Sequence, residues 1–219
     1  VTDCGCFGDA IKLTPWQTFY KDVILTVFIL FLMVKQKLIK PLKTLRIAGL
    51  FVFASLFISL GITFYVLRHL PIIDFRPYAI GKSIPEGMKY KGDGELPPVH
   101  DFFLEDEQND LAPEILKAEK VVLILAHDLD KSDMEAFSEI KAFADMAIKN
   151  KYKVYGVSSS FSDIIQNTRT KYNLPFQFLF GDATTLKTMI RANPGIMILN
   201  KGTVVEKKNW IDLDSISLP

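Results

Sequence analysis

The sequence predicts two membrane-spanning α-helices joined to an α/β domain with a central sheet. Two observations carry that reading. Ile47–Leu67 runs 21 residues without a charge, and from about Asp101 the chain alternates strand-like and helix-like patterns. Averages conceal the division. The 219 residues are 49% hydrophobic and 23% charged, which excludes a disordered chain. Charge is nearly balanced, 26 basic against 25 acidic residues, which argues against a wholly basic nucleic-acid-binding surface. Two cysteines cannot by themselves build a Cys-based zinc site or a disulfide scaffold. Only the mean hydropathy of +0.19 and the 17 Phe hint at a mixture.

The first helix is read from Thr14-Pro15, an N-cap followed by proline at the first helical position. It is expected over 15–38, because the apolar core Val23–Val34 is too short to cross a bilayer alone. Trp16, Phe19 and Tyr20 would sit at headgroup level. Lys21 and Asp22 fall near that interface, either as a snorkelling lysine with a counter-charge or as a polar site facing a bundle interior. The second helix is expected over 47–67, long enough for a hydrocarbon core of about 30 Å. Ala54, Ser55, Ser59 and Gly61 provide small residues of the kind found at membrane helix contacts, although without a GxxxG.

Between the spans, Lys35, Lys37, Lys40, Lys43 and Arg46 stand without an acid. The positive-inside rule puts residues 35–46 in the cytoplasm, so the helices form a hairpin. Residues 1–14 and everything beyond 68 then lie on the other side. Val1 is not a start methionine and two helices make a poor membrane domain. A fragment lacking an N-terminal membrane portion is therefore expected. Residues 71–100 hold five Pro and four Gly, the composition of a linker.

The domain over 101–219 has 14 basic and 18 acidic residues, net −4, so an anionic membrane surface is not an obvious partner. VVLILA after Lys120 reads as a buried strand. Ser132-Asp-Met-Glu135 has the capping-box pattern ahead of a helix with apolar residues at Phe137, Ile140, Ala144, Ala147 and Ile148. A strand over 152–157, a helix capped by Ser160 and reaching Tyr172, and a short strand over 176–180 follow. Asp182 caps a helix to about Arg191. GIMIL and TVVEKK form a hairpin around Asn200-Lys-Gly202. The order β-α-β-α-β-α-β-β is an α/β layer fold.

This order resembles the thioredoxin-like fold, and IRANPGIMILNKGTVVEKK resembles the segment in which that family's cis-proline opens the strand before the last hairpin. The resemblance implies a cis bond at Asn193–Pro194 and a partner groove beside those two residues. It also places a redox motif at Ala126-His-Asp-Leu-Asp-Lys-Ser132, where no cysteine stands. Without a thiolate, this domain cannot exchange disulfides by itself. His127, Asp128, Asp130 and Asp133 could hold a metal, or they form a polar loop whose acids favour a helix N-terminus.

Cys4-Gly5-Cys6-Phe7-Gly8 would lie in an oxidising compartment under the topology above. A CxC disulfide is a tight ring and relatively oxidising. Cys4 and Cys6 are therefore either a redox-active pair or part of a structural loop. The segment CGCFGD followed by a helix opening TPW resembles the MauE/DoxX-like membrane family, bundles of about four helices with CGCFG after the second. That resemblance covers residues 1–67 and makes them the second half of such a bundle. It implies accessory work in thiol–disulfide handling or respiratory electron flow, at a bacterial inner membrane, with a thiol–disulfide partner protein. The alternative is a non-catalytic scaffold whose thioredoxin-like domain binds a protein or peptide. No cofactor or metal is expected, although a quinone is compatible with the family resemblance, and no nucleic-acid partner is expected.

Overall fold

A computed structural model describes residues 11, 13–38, 45–92, 94, 96–106 and 108–218. The chain divides into two compact units, Val1–Phe64 and Tyr65–Pro219.

The first unit contains helix α1 (Pro15–Lys35), continued by a 3₁₀ turn over Gln36–Leu38, and most of α2 (Leu45–Arg68). Thr14 caps α1 as expected: its hydroxyl accepts from Gln17 N, and the Gln17 side chain accepts from Thr14 N in return. Both stretches, Pro15–Leu38 and Arg46–Arg68, are long and apolar enough to cross a membrane. Their apolar residues are outward: Phe31 is 58% exposed and Phe57 71%. Hydroxyls within them turn back on their own backbone, Thr26 to Asp22 O, Ser55 to Val52 O and Thr63 to Ser59 O. Each bond gives the hydroxyl a partner within its own helix. Lys21 Nζ lies 3.0 Å from Asp22 Oδ1, the neighbouring counter-charge.

The second unit is built on a five-stranded mixed sheet. After the short helices α3 (Ile84–Gly87) and α4 (Ala112–Ile115) come β1 (Val121–Leu125), α5 (Ala136–Lys149), β2 (Lys153–Ser158) and α6 (Ser162–Tyr172). They are followed by β3 (Gln177–Phe180), α7 (Ala183–Met189), β4 (Gly195–Asn200) and β5 (Thr203–Asn209). The spatial order is β3-β2-β1-β4-β5, with β1, β2 and β3 parallel and β4 and β5 antiparallel to their neighbours. Central β1 is buried at every residue, which is why its sequence is continuously apolar.

Alternation along β1 splits the core. Val122 and Ile124 face Phe137, Ile140, Phe143 and Ala144 of α5. Val121, Leu123 and Leu125 face Leu186 and Met189 of α7, together with Ile84 and Ile115. The β4–β5 hairpin closes through Lys201 and Gly202, both at positive φ (48° and 73°), the geometry of a two-residue turn matched to strand twist.

Residues 71–100 depart from the expected linker. Tyr78, Ile84 and Val99 are buried in the second core. Gly81 N donates to Val204 O, Val204 N to Lys82 O and Ile84 N to Gly202 O, so the segment lies along β5. Pro and Gly content describes backbone freedom and says nothing about these apolar side chains, which drive the packing. Lys207 of β5 is buried here. Its ammonium pairs with Asp74 and donates to Tyr78 O and Met189 O. Burial lowers its pKa while Asp74 opposes that shift.

Candidate functional site

The sheet register sets up the site. Leu125, the last residue of β1, pairs with Gly195, the first of β4. The chain leaving β1 therefore meets the chain entering β4, and loop 126–135 faces Asn193–Pro194. That peptide bond is cis, as the resemblance of its segment implies. Pro194 is buried and Asn193 half-buried. A Cβ on Gly195 would meet the tip of the Ile190 side chain, so a larger residue there requires Ile190 to shift.

Asn193 fastens the loop at three points. Its Nδ2 donates to Asp128 O at 2.7 Å, its Oδ1 lies 3.0 Å from Ser132 Oγ, and its backbone O accepts from Asp133 N at 3.1 Å. Ser132 Oγ is also 3.0 Å from Asp128 O, so one hydroxyl proton is shared between two acceptors. Two sequence expectations are corrected here. Ser132 does not cap α5. That helix begins at Ala136, and its N-cap residue Glu135 makes no side-chain cap bond. Ser160 does not cap α6, whose N-cap is Phe161; its Oγ accepts from Leu129 N at 2.9 Å instead. In both cases the serine hydroxyl is bonded away from its helix N-terminus, Ser132 to Asp128 O and Asn193 and Ser160 to Leu129 N. Asp182 caps α7 as expected, accepting from Thr184 N and Thr185 N, although α7 ends at Met189 rather than Arg191. Those two bonds hold the Asp182 carboxyl below its ordinary pKa.

The loop is also held from β2. Ser159 Oγ donates to His127 O, and Leu129 is driven into the core beneath the loop. His127 is half-buried, and among the described residues its Nδ1 is enclosed without a hydrogen-bond partner. Burial, with Lys187 and Lys131 adding repulsion, lowers the imidazole pKa against the pull of Asp128. Asp128 itself pairs at 2.6 Å with Lys131, and that hydrogen bond lowers its carboxyl pKa. The pair is too exposed to add much stability.

This arrangement is a latch without an activated nucleophile. The hydroxyls of Ser132 and Ser159 donate to an amide oxygen and to carbonyls, not to an imidazole. Among the described residues, no group of three or more His, Cys, Asp or Glu side chains could hold a metal ion. Of the acids in 128–133, Asp128 pairs with Lys131 and the Asp133 carboxylate accepts from Glu135 N. Cys4 and Cys6 lie outside the described residues. Sequence reasoning singled out Asn193 and Pro194 as a partner groove; it read Ser132 and Ser160 as helix caps and missed that Ser132 bonds Asn193 and Ser160 bonds the loop at Leu129 N. Only the spacing of serines near two strand ends could have pointed to them.

No described protein family matches the chain, and neither does any curated protein. Solved structures similar to it include reduced Prx3 of Vibrio vulnificus in complex with hydrogen peroxide, at 14% identity and a TM-score of 0.42, covering 59% of this chain and 85% of that one. StoA of Bacillus subtilis is similar at 16% identity and a TM-score of 0.39, covering 52% of this chain and 93% of its own. The thioredoxin domain of a thiol-disulfide oxidoreductase from Bacteroides vulgatus is similar at 13% identity and a TM-score of 0.43, covering 59% and 87%.

Proposed function

We propose that this protein is a membrane-anchored accessory of thiol–disulfide exchange, with a thioredoxin-like domain that is a scaffold and not the exchanging group. The observation that carries the reading is the latch itself. The loop opposite cis-Pro194 holds no cysteine, and Asn193 fixes it with bonds that leave no nucleophile activated. The sheet order, with an antiparallel strand opened by that proline, supports the thioredoxin-like assignment. Thiol chemistry is then left to Cys4 and Cys6, the only cysteines of the chain, whose CGCFG context supports a MauE/DoxX-like membrane part. The two apolar helices support anchoring in a bilayer, and the basic stretch 35–46 supports a cytoplasmic loop. In this reading the cysteines and the α/β domain share the extracytoplasmic side of a bacterial inner membrane. Cys4 or Cys6 as thiolate attacks a partner's disulfide sulfur, giving a mixed disulfide and releasing the partner's other thiolate. The second cysteine then resolves the bond, leaving Cys4–Cys6 oxidised and the partner reduced.

Acid trapping of thiols in membranes, followed by alkylation, tests this. The expected result is a mixed disulfide that accumulates in Cys4→Ser or Cys6→Ser, where resolution is blocked, and disappears in the double variant. No mixed disulfide in any variant under oxidising or reducing growth would refute the proposal.

A scaffold that docks a protein without redox chemistry is the second reading. Phe161, 80% exposed, adjoins Ser160 of the same loop system and favours it. Loss of partner recovery from membranes in Phe161→Ser, with thiol trapping unchanged, would select that reading.

A further inference from the structure

Segment 70–80 has its polarity reversed. Its two charged side chains are turned inward: Asp74 pairs with buried Lys207, and Arg76 donates to Lys187 O and Thr188 O at 2.8 and 2.9 Å. Four of its large apolar side chains point outward, Ile72, Ile73, Phe75 and Ile80 each 57–72% exposed, while Tyr78 is buried in the core. A water-facing loop ordinarily does the opposite. These residues are also gathered. Ile72, Ile73 and Ile80 line one cavity of about 300 Å³ with Leu70, Pro71 and Ala79, and the paired Asp74 and Lys207 complete its wall.

The position of the patch identifies what covers it. α2 ends at Arg68, and Ile72 follows within four residues, at most about 14 Å of extended chain. Tyr65–His69 belong to the second unit and are bonded within it. Asn209 Nδ2 donates to Arg68 O at 2.7 Å, and His69 Nδ1 lies 2.8 Å from Asp212 Oδ1 while its ring stacks on Tyr65 at 4.7 Å. A patch joined this closely to the end of a span is within chain reach of the headgroup region, which adds roughly 5–8 Å on each side of the hydrocarbon core.

We propose that Ile72, Ile73, Phe75 and Ile80 seat the α/β unit in the bilayer interface, with lipid as the occupant of this patch. The inference rests on the reading of α2 as a membrane span. Inward charges are what such a seat requires, because a carboxylate or guanidinium at that depth would have to be paired.

Spin-label accessibility on the full chain in phosphatidylcholine–phosphatidylglycerol nanodiscs tests it. Labels are placed at Ile73→Cys and Ile80→Cys in a Cys4→Ser/Cys6→Ser background. Phe57→Cys within α2 and Lys149→Cys on exposed α5 serve as references. Collisions with oxygen report lipid, and collisions with a water-soluble nickel chelate report water. The expected order of oxygen preference is Phe57 highest, Ile73 and Ile80 intermediate, Lys149 lowest. If Phe57 is lipid-exposed while Ile73 and Ile80 collide with nickel as freely as Lys149, the seat is refuted and the span stands. If both labels are shielded from oxygen and nickel alike, a protein partner or second copy covers the patch and the proposal fails. If Phe57 itself is open to the nickel chelate, the membrane reading falls and the seat with it.

Discussion

The two units use the same kind of residue in opposite ways. In α1 and α2 the apolar side chains point outward, and Phe57 is 71% exposed. In the α/β unit, Phe137 on α5 is fully buried between helix and sheet. Composition cannot separate these cases, since both stretches are rich in Phe, Ile, Leu and Val. What separates them is periodicity. α5 is apolar on one stripe, whereas α2 is apolar all round, which suits a lipid solvent and no water-facing surface.

The comparison can be broken by mutation, and the largest effect is expected in the core. Phe137→Ala should destabilise the α/β unit by about 3–5 kcal/mol. Phe57→Ala should change that unit's stability by less than about 0.5 kcal/mol. Hydrogen exchange of the β1 amides in both variants reads the difference, and equal effects would dissolve the distinction between the units. Lys207 provides the polar counterpart. Lys207→Ala leaves Asp74, Tyr78 O and Met189 O without their partner and should also cost about 3–5 kcal/mol. Lys207→Met combined with Asp74→Leu should recover much of that loss, because the penalty lies in the stranded carboxylate. Urea unfolding of the single and double variants checks this.

A smaller, local effect is expected at the latch. Asn193→Ala removes the bonds to Asp128 O and Ser132 Oγ and should cost about 1–3 kcal/mol, seen first as faster exchange at the loop amides of 128–133. Unchanged protection there would mean that the loop holds itself. The smallest effect belongs to His127, whose pKa is lowered in the fold chiefly by burial. The unfolded chain then takes up its proton first as pH falls. The contribution of His127 to stability is complete above about 6.5 and is lost as pH falls through the lower folded value. His127→Phe should therefore flatten the loss of thermal stability between about pH 7 and 5. An identical slope in both proteins would remove His127 as its source.

What could be read from the chain depended on whether the deciding contacts are local. Thr14-Pro15, the continuous apolar run of β1 and the Asn200-Lys-Gly202 turn are signals contained in a few residues, and each element forms where expected. Asn193 and Pro194 drew notice through the resemblance of their segment to that of the thioredoxin-like fold, and the cis bond stands where that resemblance implies it. Ser132 and Ser160 were misread as helix caps because the pattern that suggests a cap is local, while their partners Asn193 and Leu129 are 61 and 31 residues away. Residues 71–100 were misread as a linker for the same reason. The burial of Tyr78 and the pairing of Asp74 with Lys207 depend on a sheet edge more than a hundred residues downstream.

The central claim is that the α/β unit is a latched scaffold and that exchange chemistry resides in Cys4 and Cys6. Redox titration of the full chain in nanodiscs, across glutathione buffers of graded potential, tests it most directly when alkylated thiols are counted by mass spectrometry. The account predicts a single two-electron transition between two free thiols and none, abolished in Cys4→Ser and in Cys6→Ser and unmoved by Ser132→Ala. Two free thiols at every potential would contradict it.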